Sequence, residues 1–257
     1  MSRYGIELRN DRNLVVADSE NLNFVLRSAG RINNGQFFEG NYQNPVSWAY
    51  MDLSGFNCPL IFIKSQNADQ RVAIVPGAAD FQSEKSPLYK YFIVAKWWNK
   101  NVGDLQYYIF DRWVPPERSD YGIQMFDGGG NITFDSGWNF LKLRNVLWLD
   151  PGYPNHAGSE QGENWTNIGN AGPGNLALSM PLPRAWDFYG GGAGGGYRLY
   201  ECFHLDGVNN VFISLVAYGV YLDMPPPTGW AHAGTRSQVM IADVSGLPVT
   251  LNPVPIY

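Results

Sequence analysis

The chain has 257 residues, of which 16% are charged and 15% aromatic, and its formal net charge is −5. With 18 Lys and Arg and no basic cluster, it lacks the cationic face that phosphate neutralisation needs, which argues against nucleic acid as a partner. Turn residues are abundant, with 29 Gly and 17 Pro, and the profile is that of an all-β protein of many short strands.

The N-terminus, MSRYGIELRN, has no apolar signal core, so the chain is expected to stay in the cytoplasm where it is made. Residues 4–19, YGIELRNDRNLVVADS, read as a β-hairpin that turns at Asn10–Asn13, where Asn and Asp tolerate the required backbone. Short apolar runs parted by turn residues follow at Phe24–Leu26, 58–64 (CPLIFIK), 70–76 (QRVAIVP), 90–98 (KYFIVAKWW) and 104–113 (DLQYYIFDRW). This is strand spacing typical of a sandwich, with NKNVG (99–103) as a hairpin loop between the last two.

Two prolines in VPPERSD (114–120) stop the preceding strand, and a second hairpin phrase, YGIQMFDGGGNITFDS, begins at residue 121. Tyr121, Ile123 and Met125 alternate with Gly122, Gln124 and Phe126, the period of a half-buried strand. Asp127–Gly130 is then the turn. The two phrases align without a gap at an offset of 117 residues. Tyr4/Tyr121, Gly5/Gly122, Ile6/Ile123, Asp18/Asp135 and Ser19/Ser136 are identical, which indicates an internal duplication.

The stretch Pro151–Pro183 reads as an ordered loop region anchored by Trp165, Ile168, Leu176 and Leu178. Further apolar runs lie at 197–205, 210–222 and 237–246, and the longest, Val211–Leu222, is too short to span a bilayer as a helix and reads as buried strand. The expected fold is all-β, with little helix: two related antiparallel β-sandwich modules, jelly-roll-like, joined from short hairpins. The expected domains are 1–116 and 117–257, the second with long Gly/Pro-rich loops over 151–196. A single sandwich with an inserted hairpin is the rival arrangement.

Signals for chemistry are few. YGGGAGGGY (189–197) lacks the Lys-Ser/Thr of a phosphate loop and reads as a hairpin tip. Cys202, His204 and Asp206 share a strand face, but residues two apart on a strand lie about 6.5–7 Å from each other, beyond direct hydrogen-bond reach. His156, Glu160 and Glu163 sit in a glycine-broken loop, which gives little support for zinc, though an oxygen-ligand calcium site fits the residue types. Cys58 and Cys202 are expected as free thiols. No cofactor, metal or catalytic residue is expected. For a glycan-cleaving alternative, the candidate carboxylates are Glu160, Glu163, Glu201 and Asp206. Tyr153, Trp165, Trp186 and Trp230 lie in Gly/Pro-rich loops, where aromatics face partners or sugars more often than in strands, and these four are the candidate receptor contacts.

The repeated phrase resembles the opening of small proteins encoded among the tail genes of tailed bacteriophages. These begin with Tyr-Gly and an apolar residue, turn on Asn or Asp with Gly, and close on Asp-Ser. Tyr121, Gly122, Ile123, Asp127, Gly130, Asp135 and Ser136 carry that pattern here. Tyr4, Gly5, Ile6, Asn10, Asp18 and Ser19 carry it at the N-terminus, where the turn lacks Gly. The likeness covers about 60 residues and leaves 150–236 unmatched. It implies a non-enzymatic virion component of the tail tip, baseplate or fibre attachment. Such a protein would be assembled in the host cytoplasm as a homo-oligomer among other tail proteins, and would contribute to contact with a bacterial surface receptor. The runner-up is a carbohydrate-binding or glycan-degrading β-sandwich.

Overall fold

The structure, a computed structural model, describes residues 7–9, 15–18, 23–38, 46–66, 70, 72–77, 91–97, 101–154, 165–189, 196–222, 229–231 and 234–257. The first half holds β1 (Glu7–Arg9), β2 (Val15–Asp18), β3 (Phe24–Ile32), β4 (Val46–Asp52), β5 (Leu60–Lys64), β6 (Val72–Gly77), β7 (Tyr91–Trp97) and β8 (Leu105–Arg112). The second holds β9 (Gln124–Phe126), β10 (Ile132–Asp135), β11 (Leu143–Leu149), β12 (Thr166–Asn170), β13 (Leu176–Ser179), β14 (Ala185–Tyr189), β15 (Gly196–Leu205), β16 (Asn210–Leu222), β17 (Gly229–Trp230) and β18 (Ser237–Asp243). Among the described residues the helical element is one 3₁₀ turn, Asn34–Gln36.

All strand pairs are antiparallel, and the two phrases build the same object. In β1–β2, Glu7 pairs with Asp18, Leu8 with Ala17 and Arg9 with Val15. In β9–β10, Gln124 pairs with Asp135, Met125 with Phe134 and Phe126 with Ile132. Each number in the second hairpin is 117 above its counterpart, and the register shift falls at the same step. The return strands β2 and β10 lie against each other.

The repeat extends into the sheets. The six-stranded sheet runs β11-β18-β13-β5-β8-β3 and the eight-stranded sheet follows the path β12-β16-β15-β6-β7-β4, with β14 and β17 added beside β15. Each half therefore contributes three consecutive path strands to each sheet, in mirrored order about the centre. The β3–β8 and β11–β18 ladders even share a bulge: it lies between Leu26 and Ser28 in one and between Leu143 and Asn145 in the other. The halves meet at Ile63–Leu178 in one sheet and Val72–Phe203 in the other. They also meet where Val25 bridges Phe140, which draws the two edges of the six-stranded sheet together and curls it into a half-barrel. That register sets Phe24 opposite Leu141, again 117 apart. The chain is thus two related modules arranged about a pseudo-twofold axis.

The modules do not have separate cores. Ile32, Ile61, Tyr107 and Ile109 of the first module pack with Leu149, Leu178, Val239 and Ile241 of the second in one cluster between the sheets. Alternate residues of the same strands, including Leu26, Phe62 and Phe110 with Ala177 and Ala242, fill the inside of the curl. The inner strands β5, β8 and β13 of the six-stranded sheet are buried on both faces, which is why LIFI and YYIF read as continuous apolar runs. The strand blocks divide between Arg112 and Gln124, while the hydrophobic core is continuous across that division.

Several expectations are corrected. The stretch 151–196 is not continuous loop, since the short strands β12, β13 and β14 lie within it. β7 and β8 belong to different sheets, so they do not form the hairpin expected around 99–103. The strand of the second phrase starts only at Gln124, and Tyr121 and Ile123 are exposed, at 89% and 56%. What the phrase encodes instead is a clasp. A Cβ at Gly122, whose φ is +115°, would collide with Ser136 Oγ, and that hydroxyl accepts the Ile123 N–H. Asp135 is buried and accepts from Ser119 N and Oγ, Gly137 N and Gln124 Nε2. Tyr4, Gly5, Ile6 and Ser19 lie outside the described residues, as do the side-chain contacts of Asp18.

Candidate functional site

The second module departs from the first by addition. Its strands β15 and β16 are 10 and 13 residues long where β6 and β7 have 6 and 7, and β14 and β17 pair onto the extended part. Three of the four predicted aromatics gather at this lobe around Arg184. Its guanidinium makes two bonds to Glu201, Nε to Oε2 at 2.9 Å and Nη2 to Oε1 at 2.6 Å, and both side chains are buried. The remaining donors go to the carbonyls of Asp150 (2.9 Å) and Tyr153 (2.5 Å). The guanidinium carbon lies 4.2 Å from the centre of the Trp230 ring, which meets Trp186 edge-on at 5.2 Å. Burial pushes the Glu201 carboxyl upward against the opposing pull of Arg184.

This arrangement is a clamp. It fixes the loop 150–153 to the lobe and leaves the Tyr153 side chain at the surface, with the residue 47% exposed, while Trp186 is buried and Trp230 half-buried. Trp165 lies elsewhere. It meets His204 edge-on at 4.4 Å and packs over Cys202 and Ala73 on the outer face of the eight-stranded sheet, and His204 in turn stacks on Phe212 at 5.0 Å. Cys202 is fully buried and Cys58 exposed, and neither is in a disulfide. Asp206 spends its carboxylate on Val208 N, Asn210 N and Asn210 Nδ2, so it caps a turn. His156, Glu160, Glu163 and residues 190–195 of the glycine run lie outside the described residues. Among the described residues no three His, Cys, Asp or Glu side chains gather to hold a metal, and no helix is long and apolar enough to cross a membrane.

A second place was not singled out by the sequence. The inter-module linker, the residues after β10 and the C-terminal segment enclose a cleft of about 320 Å³ beside the start of β3. Trp113 and Trp138 form its apolar walls, and Glu117, Arg118, Asn139 and Asn252 supply polar side chains. Both walls are held. Trp138 Nε1 donates to the Glu117 carbonyl at 2.9 Å, and Arg27, bonded to Asp111, lies 5.2 Å from the Trp113 ring centre. No local pattern marks the cleft as a whole, because its parts come from four chain segments more than 100 residues apart at the extremes. The one local cue is the Trp-Val-Pro-Pro sequence at 113–116.

Comparison of the chain with models of known protein families, with curated proteins and with solved structures gave no match.

Proposed function

We propose that the chain is a non-enzymatic structural component of a bacteriophage distal tail, at the tail tip or baseplate, where it contributes to host-surface attachment. The observation that carries this reading is the repeated phrase, which builds one hairpin twice with the same register and the same bulge. The second hairpin presents Tyr121, Ile123 and Phe126 outward, and an exposed apolar group of this kind suits burial against neighbouring subunits of a symmetric assembly. Immunogold labelling of purified virions from the phage that encodes the chain is expected to mark the tail end. Absence of the protein from purified particles would overturn the reading.

A carbohydrate-binding protein is the second reading, and the Trp-walled cleft favours it. For the glycan-degrading version, two of its four carboxylates are already committed within the fold, Glu201 to Arg184 and Asp206 to its turn. Oligosaccharide release from host surface polysaccharide, lost in Glu160→Gln or Glu163→Gln, would support that version over the structural one.

A further inference from the structure

We propose that the cleft between the inter-module linker and the second hairpin binds a single neutral pyranose unit, with Trp113 as its stacking wall. The proposal deepens the attachment reading by naming a ligand class and a place for it.

Three observations carry it. The first is the match of chemistry to shape. A pyranose has one face of C–H groups and a rim of hydroxyls that each donate and accept. It therefore needs an apolar aromatic wall beside planar polar groups of both kinds. The cleft supplies the walls from Trp113 and Trp138. It supplies acceptors from Glu117, donors from Arg118, and both from the amides of Asn139 and Asn252. Side chains of Glu117, Arg118, Asn139 and Asn252 make no hydrogen bond or ion pair within the described residues, so all four remain available to a ligand.

The second observation is what the repeat does not require. At the offset that relates β8 to β18, the counterpart of Trp113 is Ser245, and at the offset of the hairpins the counterpart of Trp138 is Asn21. Each of these positions thus carries an aromatic in one copy only, Trp113 in the first module and Trp138 in the second, so the repeat itself does not call for either indole.

The third observation separates a sugar from a peptide. A peptide added as a strand would need a free main-chain edge along β3. Leu26 N already donates to the Asn139 carbonyl, and Ala29 exchanges both main-chain bonds with Leu251. The edge beside the cleft is therefore occupied. With Glu117 and Arg118 side by side, the cleft carries no net charge to favour an ionic ligand.

The test titrates the full chain with free hexoses, 6-deoxyhexoses and N-acetylhexosamines in the millimolar range. Saturation-transfer NMR and tryptophan fluorescence report binding. Saturable binding of at least one sugar is expected. Trp113→Ala should weaken it about tenfold, the loss expected of one aromatic contact. Asn139→Ala, on an exposed side chain, keeps the test open if Trp113→Ala fails to fold, and should weaken binding about threefold. Trp148→Ala, a surface indole on the far edge strand, should leave it unchanged. No saturable binding by the folded protein, or binding that survives both cleft substitutions, overturns the proposal. Protein found on the virion tail that binds no sugar removes the site and keeps the tail reading.

Discussion

The two modules share a strand order and two bulges, yet they use the same bulge differently. The extra residue is an arginine in both, Arg27 and Arg144, and each faces an aspartate on the neighbouring strand, Asp111 and Asp243. In the first module the pair is closed. Arg27 meets Asp111 at 2.5 Å between the rings of Phe56 and Trp113, and Asp111, fully buried, also accepts Asn57 N, Cys58 N and Arg112 N. In the second it is loose, with 3.9 Å between the charges, and Arg144 donates instead to the Pro173 carbonyl. A bulge re-aims one side chain. The repeat kept that geometry and let the energetics diverge, so the first module holds a partly buried ion pair on a fully buried carboxylate and the second a solvated one. The interior of the curl shows the complementary divergence. Leu60, Phe62 and Phe110 of the first module correspond to Ala177, Ser179 and Ala242 of the second. Large residues from one copy meet small ones from the other, which fills a shared space that two identical copies would overpack.

This asymmetry can be broken experimentally. The largest effect is expected inside the curl, where the register sets Phe62 opposite Ser179. Phe62→Ser should cost about 3–5 kcal/mol in urea unfolding, and Ser179→Phe about 1–3 kcal/mol. The double exchange should cost at least about 1 kcal/mol less than their sum. Strict additivity would mean that the two positions do not share the space. Next come the paired aspartates. Asp111→Ala should destabilise by about 3 kcal/mol or more, because it strands a guanidinium and several buried N–H groups, whereas Asp243→Ala should stay within about 1 kcal/mol. Equal losses would refute the contrast. Gly122→Ala should cost about 1–3 kcal/mol through its positive φ and the collision with Ser136, read as loss of amide protection in the second hairpin. The smallest effect is the acid response of that hairpin. Burial of Asp135 opposes its charge, but the bonds from Ser119, Gly137 and Gln124 outweigh it and hold the carboxyl at about 2. Its contribution is therefore complete above about pH 4 and fades as pH falls through about 2. Asp135→Asn should flatten the hairpin's NMR-monitored melting over that range, and an unchanged acid profile would place the sensitivity elsewhere.

Most strands could be read from the sequence because period-two patterning is local: β16 and β18 fall within the runs that suggested them, and β15 starts one residue before its run. Those missed have identifiable causes. In β4 the residues turned inward are Ser47, Ala49 and Met51, while Trp48 and Tyr50 sit half-buried on the other side, so the polarity alternation is blurred. β12 is an edge strand with the sequence TNIGN and little to bury, and β13 has only four residues, all of them buried. The candidate sites were legible in part. Gly/Pro-rich surroundings drew attention to Tyr153, Trp186 and Trp230, but Trp186 and Trp230 lie in the paired strands β14 and β17 and not in loops, and their convergence on Arg184 depends on a pairing that no local pattern encodes. Trp113 had only the adjoining prolines as a local cue, and Trp138 had none.

The sequence by itself determined the all-β class and the repetition, since alternation and a gapless offset can be read along the chain. The tertiary structure decided how the two copies meet. That meeting depends on contacts between residues about 117 apart, on Phe24 facing Leu141 and on Phe62 facing Ser179. Which side chains fill a common core, and which two indoles come to share a cleft, follows from long-range register, where the energy of packing is settled by partners that lie far away in the chain.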